Sequence, residues 1–268
     1  MRLEITNLTC GYRNKIINDN ISFALESGDI ICLLGPNGVG KTTLFMGLLG
    51  LVDVVSGSVR VDGENIRDWS NKRLAKTIAY VPQAHTPPFA FSVLDVVIMG
   101  RNAHMGSFSK PTGEDINIAD ETLEKLGITY LRNSIYTEIS GGERQMVLIA
   151  RALAQQPSFL IMDEPTANLD YGNQARVLSQ IKELAASGLG IIMTSHSPDH
   201  AFLCSTKVAL FLKDRTLLIG SPLEIVTEKN LQRAYGIEIN IITGHLSNGR
   251  EIQLCTPAIW EGSGANKN

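Results

Sequence analysis

The chain has 268 residues, of which 44% are hydrophobic and 19% are charged, and its net charge at pH 7 is -3. This length and this composition are typical of a globular protein with one large domain or two small ones. The slight negative charge argues against a general nucleic-acid-binding surface, and the longest nearly unbroken apolar stretch, residues 44–52, is far too short to cross a bilayer.

Alternating apolar and polar residues dominate the N-terminal part of the chain. They occur in residues 3–8, in residues 21–25 and in residues 58–63, where the run ends in Asp62-Gly63. Such alternation is the pattern of half-buried antiparallel strands, and Asp-Gly is a common two-residue turn. The sequence therefore predicts an N-terminal unit of antiparallel strands.

A glycine-rich loop follows, in which residues 35–43 match the pattern G-x-x-x-x-G-K-[ST]. The apolar residues 29–34 before it predict a buried strand, and residues 43–49 after it predict a helix whose N-terminus points at the loop. Glycines let the backbone turn tightly and direct several N–H groups at one anion. Lys41 then reaches the β- and γ-phosphates of a nucleotide, and the Thr42 hydroxyl can ligate Mg²⁺. The predicted phosphate-binding residues are Gly35, Pro36, Asn37, Gly38, Val39, Gly40, Lys41, Thr42 and Thr43.

Helical patterns replace the strand patterns in the middle of the chain. Residues 78–81 predict a short strand stopped by Pro82, whereas most of residues 92–131 predict helices separated by a loop at 106–113. This stretch is a candidate helical subdomain inserted into an α/β core. A second glycine-rich loop, Ser140-Gly141-Gly142, then opens another helix, and its backbone amides can bind an anion. It lies too close to the next motif to be a separate nucleotide site.

That next motif is a pair of acids, Asp163 and Glu164, which directly follows the apolar residues 159–162. A buried strand that ends in Asp places the carboxylate at the ligand-binding edge of an α/β sheet. Asp163 is predicted to hold the Mg²⁺ hydration shell, and Glu164 to orient or deprotonate an attacking water.

The rest of the chain is predicted to alternate strands and helices. Residues 159–162 and 190–194 predict parallel strands, with a helix over 174–186 between them. Residues 208–212 and 216–219 predict one hairpin, and residues 237–242 and 251–254 another. Residues 261–268 are polar, and we expect them to be disordered.

The four cysteines, Cys10, Cys32, Cys204 and Cys255, are scattered and form no C-x-x-C pair. We expect reduced thiols that make neither a zinc site nor a disulfide framework. The first seven residues mix acidic and polar side chains with apolar ones, so no signal peptide is predicted.

Because of these motifs and the order in which they occur along the chain, the sequence resembles the ATP-binding subunits of ABC transporters over about residues 1–240. Residues 35–43 match the Walker A loop, residues 159–164 match Walker B, and residues 139–145 resemble the family signature. By this resemblance, Gln83 is the Q-loop glutamine that touches Mg²⁺ and senses a membrane partner, and Asp170 belongs to the D-loop. His196 resembles the switch histidine, and Tyr12 resembles the aromatic residue that stacks on adenine.

The chain departs from the usual family pattern at a few positions. Ile139 and Glu143 stand in the signature where Leu and Gln are commonest, and Ser197-Pro198 follows the histidine where an acid is frequent. Glu143 should not abolish anion binding by backbone amides. The other histidines, His85, His104, His200 and His245, are given no functional role.

The resemblance implies an α/β fold of the P-loop ABC ATPase type, with a parallel core sheet, an N-terminal antiparallel β subdomain and an inserted helical subdomain. The implied ATPase domain covers residues 1–240, with the helical subdomain at about 84–155, and residues 241–268 form a small β extension and tail. The implied cofactors are ATP and Mg²⁺. The implied catalytic residues are Glu164, His196 and Gln83, and the metal-binding residues are Thr42, Gln83 and Asp163. ATP contacts are implied for Tyr12, the phosphate-binding residues, Ser140, Gly141, Gly142, Glu143 and Asp170.

The partners implied by the family include a second copy of the chain. In the family two subunits pack head to tail, so that Ser140, Gly141 and Gly142 of one copy cap the γ-phosphate held by Lys41 of the other. The homodimer drives integral membrane permease subunits at the cytoplasmic face of the membrane and serves a periplasmic or extracellular binding protein indirectly. The apolar residues 87–94 lie where the family docks a permease helix. The alternative, which we favour for most of them, is that they pack in the core of the helical subdomain itself. No nucleic acid partner is expected.

Three further stretches, residues 92–101, 140–145 and 231–237, resemble importer subunits for metal chelates. That group serves ferric siderophores, haem, cobalamin and, in some members, molybdate or tungstate, and residues 90–111 resemble the molybdate/tungstate branch. The alternatives are soluble ABC ATPases of DNA repair or chromosome structure, translation factors and small-molecule kinases. ABC ATPases of DNA repair or chromosome structure usually carry a long coiled-coil insertion, which this sequence lacks. The translation factors carry two ATP cassettes in one chain, and this sequence has one. Small-molecule kinases lack the Ser-Gly-Gly signature, which this sequence has.

Overall fold

A computed structural model describes residues 1–12, 15–83, 90–106, 109–247, 249 and 251–258. The predicted tail at 261–268 and residues 87–89 of the predicted docking stretch lie outside the described residues. The strands are β1 (Arg2–Tyr12), β2 (Lys15–Glu26), β3 (Ile30–Leu34), β4 (Asp53–Val61), β5 (Glu64–Asn65), β6 (Ile78–Val81), β7 (Phe159–Met162), β8 (Gly190–Thr194), β9 (Lys207–Phe211), β10 (Leu217–Gly220), β11 (Ile239–His245) and β12 (Glu251–Pro257).

The helices alternate with these strands. They are α1 (Lys41–Leu48), α2 (Asn71–Thr77), α3 (Val93–Ile98), α4 (Gly113–Lys125), α5 (Gly141–Ala154), α6 (Tyr171–Ala186), α7 (Asp199–Cys204), α8 (Pro222–Ile225) and α9 (Glu228–Tyr235). Short 3₁₀ turns lie at Ile66–Asp68, Met99–Ala103 and Thr129–Leu131. Among the described residues, no helix is long and apolar enough to span a membrane.

The central sheet has the strand order β10-β9-β3-β8-β7-β6, and every neighbouring pair in it is parallel except β10 with β9. Strands β3, β7 and β8 are fully buried. They read as continuous apolar runs because both faces of a parallel sheet are covered. Successive residues of β3 therefore face opposite cores: Cys32 packs with the helical side, and Ile31 and Leu33 pack with the antiparallel sheet. The predicted α/β class with a parallel core is confirmed.

The predicted N-terminal antiparallel strands form a second sheet with the order β2-β1-β4-β5. The predicted Asp62-Gly63 turn joins β4 to β5, and both residues have positive φ, 48° and 87°. This sheet and α1 cover one face of the core. Helices α3, α4 and α5 pack against one another over the other face and include the predicted helical stretch.

The C-terminal part contains both predicted hairpins, β9–β10 and β11–β12. Four helices were not predicted. Within the described residues, α2 has no buried position, so it lacks the apolar periodicity on which the prediction rests, and α7, α8 and α9 have only 6, 4 and 8 residues. All four cysteines are free in the structure, and Cys10, Cys32 and Cys204 are buried.

A buried ion pair holds the helical part together. Arg101 Nε lies 3.0 Å from Asp115 Oδ1, with side chains 6% and 8% exposed, and Arg101 Nη1 also donates to the Ala154 carbonyl oxygen at 2.8 Å. These bonds connect the 3₁₀ turn after α3 to the start of α4 and the end of α5. The Thr112 backbone and hydroxyl and the Arg101 guanidinium lower the pKa of Asp115 from 3.8 to about 2.

We expect Arg101→Met to lower the free energy of unfolding by about 3 kcal/mol, because it leaves the Asp115 carboxylate buried without its cation. Urea unfolding measures this loss. The matched control is Arg132→Met, whose partner Asp120 is 38% exposed, and it should cost less than about 1 kcal/mol. Equal losses in the two variants would contradict the expectation.

The same pair predicts how stability depends on pH. The pKa of Asp115 is lower in the folded state than in the unfolded chain, so its stabilisation is present above pH 3.8 and is lost as the pH falls toward about 2. The wild-type protein should therefore lose more stability than Arg101→Met over this interval, and acid titration of the unfolding free energy measures the difference.

Candidate nucleotide site

The phosphate loop joins the end of β3 to the start of α1. Gly40, which precedes the helix, has φ 119°, and a Cβ atom built on it would lie 2.8 Å from Asn18 Oδ1 and 3.0 Å from Ile17 Cγ2. Only glycine adopts this positive φ without strain and also leaves Asn18 and Ile17 in place, because it has no Cβ atom. Within the described residues, no side chain caps α1, so its first N–H groups are available to an anion.

The loop wraps around the ammonium group of Lys41. Nζ donates to the carbonyl oxygens of Gly35 at 2.7 Å and Pro36 at 3.1 Å, and the residue is only 7% exposed. Burial lowers the pKa of Lys41, and the nearby charges of Glu164 and Asp163 oppose that effect. A nearly buried cation is thus held beside two carboxylates at the mouth of the loop.

Asp163 lies where β6, β7 and β8 end next to the start of α1. Its Oδ2 accepts hydrogen bonds from Thr42 Oγ1 at 3.1 Å and from the Tyr80 hydroxyl at 3.4 Å. Its Oδ1 accepts one from Thr194 Oγ1 at 2.8 Å. Burial, followed by the charge of Asp163, raises the pKa of Tyr80 to about 12, so the phenol remains a hydrogen-bond donor. The carboxylate is therefore oriented from three sides.

Glu164 adopts a left-handed backbone conformation, with φ 49°, which is uncommon for a residue other than glycine. Its N–H donates to Thr194 Oγ1 at 2.7 Å. Its Oε1 lies 2.5 Å from His196 Nε2, and Gln83 Nε2 lies 3.5 Å from Oε2. The side chains of Glu164 and His196 are 20% and 48% exposed, so both can reach a bound molecule.

Four separately predicted motifs thus meet at one edge of the central sheet: the phosphate loop, the acid pair, Gln83 and His196. Thr194 was missed as a site residue, although it is fully buried and bonds to both acids. A threonine that ends an apolar strand carries no sequence signal that separates this role from ordinary strand packing.

Tyr12 is the last residue of β1, where it pairs with Lys15 of β2, and it is 52% exposed. Ile17, also on β2, borders Gly40 of the phosphate loop. This end of the β1–β2 pair therefore lies near the loop, and the Tyr12 side chain is accessible to a bound molecule.

The Ser-Gly-Gly loop forms the N-terminus of α5. The Ser140 hydroxyl caps the helix by accepting from the Glu143 N–H at 3.3 Å, and Glu143 Oε2 accepts from the Ser140 N–H at 2.8 Å and from its hydroxyl at 2.6 Å. These bonds lower the pKa of Glu143. Glu and Gln both complete such a capping box, which explains why Glu143 is compatible with this position.

Asp170 caps the neighbouring helix α6, and Asn173 connects the two helix starts. The Asn173 N–H and Nδ2 both donate to the Asp170 carboxylate, each at 2.8 Å. A Cβ atom on Gly142 would lie 2.5 Å from Asn173 Cγ, so glycine allows the Asn173 amide to pack directly on the loop. The Ser-Gly-Gly loop and Asp170 therefore form one packed cluster. Asn173 was not singled out from the sequence.

The side chains beside the phosphate loop have the donor chemistry for Mg²⁺. The Thr42 hydroxyl and the Asp163 carboxylate supply oxygen atoms 3.1 Å apart, and Mg²⁺ prefers oxygen ligands. Among the described residues, no group of three or more His, Cys, Asp or Glu side chains surrounds a metal position. The oxygen atoms of Thr42 and Asp163 fit a Mg²⁺ ion whose remaining ligands would be phosphate and water.

Comparisons with known proteins agree with this geometry. A family model described as ABC transporter matches residues 18–167. An uncharacterised ABC transporter ATP-binding protein of Haemophilus influenzae is 41% identical over 254 residues, which cover 95% of this chain and 97% of that protein. The molybdate import ATP-binding protein MolC of the same organism is 36% identical, over 85% and 86% of the two chains. A structure described as a metal-chelate type ABC transporter in an inward-facing conformation is 32% identical, with a TM-score of 0.86 over 97% of this chain and 98% of that one.

Proposed function

Since the chain belongs to the ABC transporter family as an ATP-binding subunit that hydrolyses ATP, we propose that it powers uptake of a metal chelate or a metal oxyanion through a partner permease. The observation that carries the ATPase assignment is the meeting of Lys41, Asp163 and Glu164 at one sheet edge. The cargo class is supported by similarity to a molybdate import protein and to a metal-chelate type transporter.

The phosphate loop binds the triphosphate of ATP. Lys41 exchanges its bonds to the Gly35 and Pro36 carbonyl oxygens for bonds to phosphate oxygens, and the free N–H groups of α1 bind the same anion. The exposed Tyr12 ring stacks on the adenine, because a purine and a phenol ring pack favourably face to face.

Thr42, Asp163 and Gln83 would hold Mg²⁺ when the nucleotide is bound, and the charge of the ion would offset that of the phosphates. Thr194 and Tyr80 keep the Asp163 carboxylate turned toward Thr42 before the nucleotide arrives, so little reorganisation is needed on binding.

Glu164 is the general base that orients and deprotonates the attacking water. His196 contacts one oxygen of its carboxylate and Gln83 the other, so the side chain has a defined position although it lies at the surface. Proton transfer by a positioned carboxylate contributes about 10²- to 10⁴-fold to the rate of such reactions.

The active site is completed by a second copy of the chain. Ser140, Gly141 and Gly142 at the start of α5 cap the γ-phosphate held by Lys41 of the other copy, and Glu143 and Asp170 support that cap. Two identical chains in this arrangement form two equivalent sites related by a two-fold axis. Loss of the γ-phosphate removes shared contacts, and the dimer opens.

The permease docks in a groove between α2 and α5 that includes none of the described residues 90–94 of the predicted docking stretch, of which Val93 is fully buried and Leu94 packs against the core. The volume of the groove is about 1090 Å³, and its lining includes Leu51, Trp69, Leu74, Met99 and Gln155. Leu51 is 67% exposed and Met99 36%, so an apolar helix face can bury them. The chain thus acts as a peripheral subunit at the cytoplasmic face of the membrane. A binding protein outside the cell delivers cargo to the permease.

We divide the chain by function at residue 240. Residues 1–240 form the ATPase domain, in which about 84–155 are the helical subdomain, and 241–268 form an extension. Strand β11 begins at Ile239 and crosses this boundary, so the extension follows the ATPase domain without a linker.

The experiment that tests the cargo assignment uses the chain reconstituted with its genomic neighbour permease and binding protein in vesicles. ATP hydrolysis should rise when a ferric siderophore, haem, cobalamin, molybdate or tungstate is offered as cargo. A maltose-type sugar is the negative control. If basal ATP hydrolysis is present but none of the chelates and oxyanions stimulates it, the cargo assignment is contradicted and the ATPase assignment is not.

We expect Lys41→Ala to weaken ATP binding by about 10- to 100-fold, because charge-assisted hydrogen bonds to phosphate each contribute roughly 1.5–3 kcal/mol. Equilibrium titration with a fluorescent ATP analogue measures the affinity. Thermal unfolding of the variant without nucleotide is the control, because it shows whether losing the Lys41 bonds to the Gly35 and Pro36 carbonyl oxygens lowers stability. An unchanged affinity would remove Lys41 from the phosphate site.

A further inference from the structure

His196 lies on residues 195–198, a short connection between β8 and α7 that is neither helix nor strand. Its side chain is 48% exposed, yet it lies 2.5 Å from Glu164. Holding a half-exposed side chain in one position costs conformational entropy. The backbone beneath it must therefore be fixed by contacts of its neighbours.

Ser195 provides the first of those contacts. It is 2% exposed, and its Oγ accepts from the Ser197 N–H at 3.0 Å, lies 3.2 Å from the Ser197 carbonyl oxygen and lies 2.8 Å from His200 Nδ1. A hydroxyl has one proton and two acceptor positions. All three bonds form together if His200 Nδ1 donates to Ser195 and the Ser195 hydroxyl donates to the Ser197 carbonyl oxygen.

His200 is suited to act as that fixed donor. It is 8% exposed in the first turn of α7, and burial lowers its pKa, an effect that the charge of Asp199 partly opposes. The imidazole is therefore neutral at pH 7, with one N–H, and the tautomer that satisfies all three bonds of Ser195 carries this N–H on Nδ1. The mechanism of ATP hydrolysis described above makes no use of this buried ring.

Asp199 connects the same helix to the C-terminal hairpin formed by β11 and β12. Its Oδ1 accepts a hydrogen bond from the Cys255 N–H at 2.7 Å, and its Oδ2 lies 3.5 Å from Ser197 Oγ. Burial and the Asp199 charge raise the pKa of the Cys255 thiol to about 12, so the thiol stays protonated beside the carboxylate. Asp199 thus contacts both the hairpin and the connection that carries His196.

The hairpin has one face on the core and one in solvent. Ile239 is 6% exposed, and Ile241 and Cys255 pack against the core, whereas Ile242 and Leu254 on the other face are 55% and 48% exposed. An isolated two-stranded hairpin is marginally stable in water. The packing of its inner face therefore determines where the Cys255 N–H stands relative to α7.

We propose that Asp199 and His200 are positioning residues for His196, and that the C-terminal hairpin holds α7 in the place from which they act. Contacts run from Cys255 to Asp199, along the first turn of α7 to His200, and from His200 to Ser195, next to His196. The proposal rests on the proposed role of His196 beside Glu164. It assigns the C-terminal extension a role in the rate of hydrolysis rather than in ATP binding.

The kinetic test compares Asp199→Ala and His200→Ala with the conservative variants Asp199→Asn and His200→Asn in the full-length chain. An Asn at 199 keeps an oxygen acceptor, and an Asn at 200 offers an N–H near the position of Nδ1. We expect each Ala variant to lower kcat about tenfold, with KM for ATP changed less than twofold, since small displacements of catalytic groups affect the chemical step. The Asn variants should recover most of the loss. Leu203→Ala, on the exposed side of α7, is the matched control.

A spectroscopic readout separates positioning from a loss of stability. The imidazole resonances of His196 are assigned in ¹⁵N-histidine-labelled protein as those missing from His196→Ala. They should shift in Asp199→Ala and return toward wild type in Asp199→Asn. If Asp199→Ala does not fold, His200→Ala takes its place: the His196 resonances should shift in that variant and return toward wild type in His200→Asn.

In the Ala variants, unchanged His196 resonances or a kcat loss no larger than that of Leu203→Ala would overturn the proposal, and so would a change confined to KM. These outcomes differ from failure of the proposed function, in which wild-type protein and the Leu203→Ala control would themselves hydrolyse no ATP.

Discussion

Glu164→Gln should lower kcat for ATP hydrolysis by about 10³-fold and leave ATP affinity nearly unchanged. Glutamine has the size and shape of glutamate and can still contact His196, but it cannot take a proton from water. Loss of a positioned general base costs about 10²- to 10⁴-fold. Phosphate release measures kcat, and equilibrium binding of ATP with Mg²⁺ measures affinity. Turnover at the wild-type rate would remove Glu164 from the catalytic role.

The same variant should accumulate as a dimer in ATP, because the γ-phosphate that joins the two copies is no longer removed. Light scattering on a sizing column measures the dimer fraction, with ADP as the control nucleotide, in which the protein should elute as a monomer. If it never dimerises at any reasonable concentration, with the permease also supplied, the composite-site model is wrong.

Ser140→Arg should abolish detectable hydrolysis, a loss of at least about 100-fold, while one copy still binds ATP with an affinity within about threefold of wild type. The long cation replaces a hydroxyl at the surface that caps the partner's γ-phosphate, so closure is blocked. The site of Lys41 on the same chain is untouched. Steady-state hydrolysis and nucleotide titration of the monomer measure the two quantities.

The control for Ser140→Arg is Ser140→Ala, which also removes the helix cap. Loss of that cap costs about 1 kcal/mol of stability, so both variants should unfold at similar temperatures, and only the Arg variant should block closure completely. A parallel drop in ATP binding and hydrolysis in Ser140→Arg would show that Ser140 serves the nucleotide of its own chain.

Mixing two inactive variants distinguishes composite sites from independent ones. A heterodimer of Lys41→Ala and Ser140→Arg has one site with both Lys41 and Ser140 intact and one site with neither. Mixed subunits should therefore recover hydrolysis that neither variant shows alone. No recovery in a verified heterodimer would contradict two-fold shared sites.

Motifs with a local mechanism were predictable from the sequence. The phosphate loop needs a buried strand, glycines, a lysine and a helix start in succession, and all of these are read from residues 29–49. The structure has β3 and α1 there, with Lys41 buried at the loop. Likewise, the four apolar residues before Asp163 predict β7 with its correct bounds. In these stretches, local preference and tertiary packing favour the same structure.

Residues that act through distant neighbours were not predictable. Thr194 bonds to both acids because β8, which it ends, lies beside β7 in the central sheet. Asn173 lies against Gly142, which is 31 positions earlier in the chain. His200 was given no functional role, because a single histidine in a short helix looks the same whether or not it supports a loop. Such contacts depend on strand order and helix packing, which periodicity does not encode.

The sequence by itself determined the chemistry of the site: a phosphate loop, an acid pair and a Ser-Gly-Gly helix start, each built from residues close together in the chain. Their backbone geometry depends on local residue types, so short patterns specify it. Only the tertiary structure decided which side chains orient them. Thr194 and Tyr80 bond to Asp163, Asn173 packs on Gly142, and the C-terminal hairpin reaches Asp199, since burial brings together groups that are far apart along the chain.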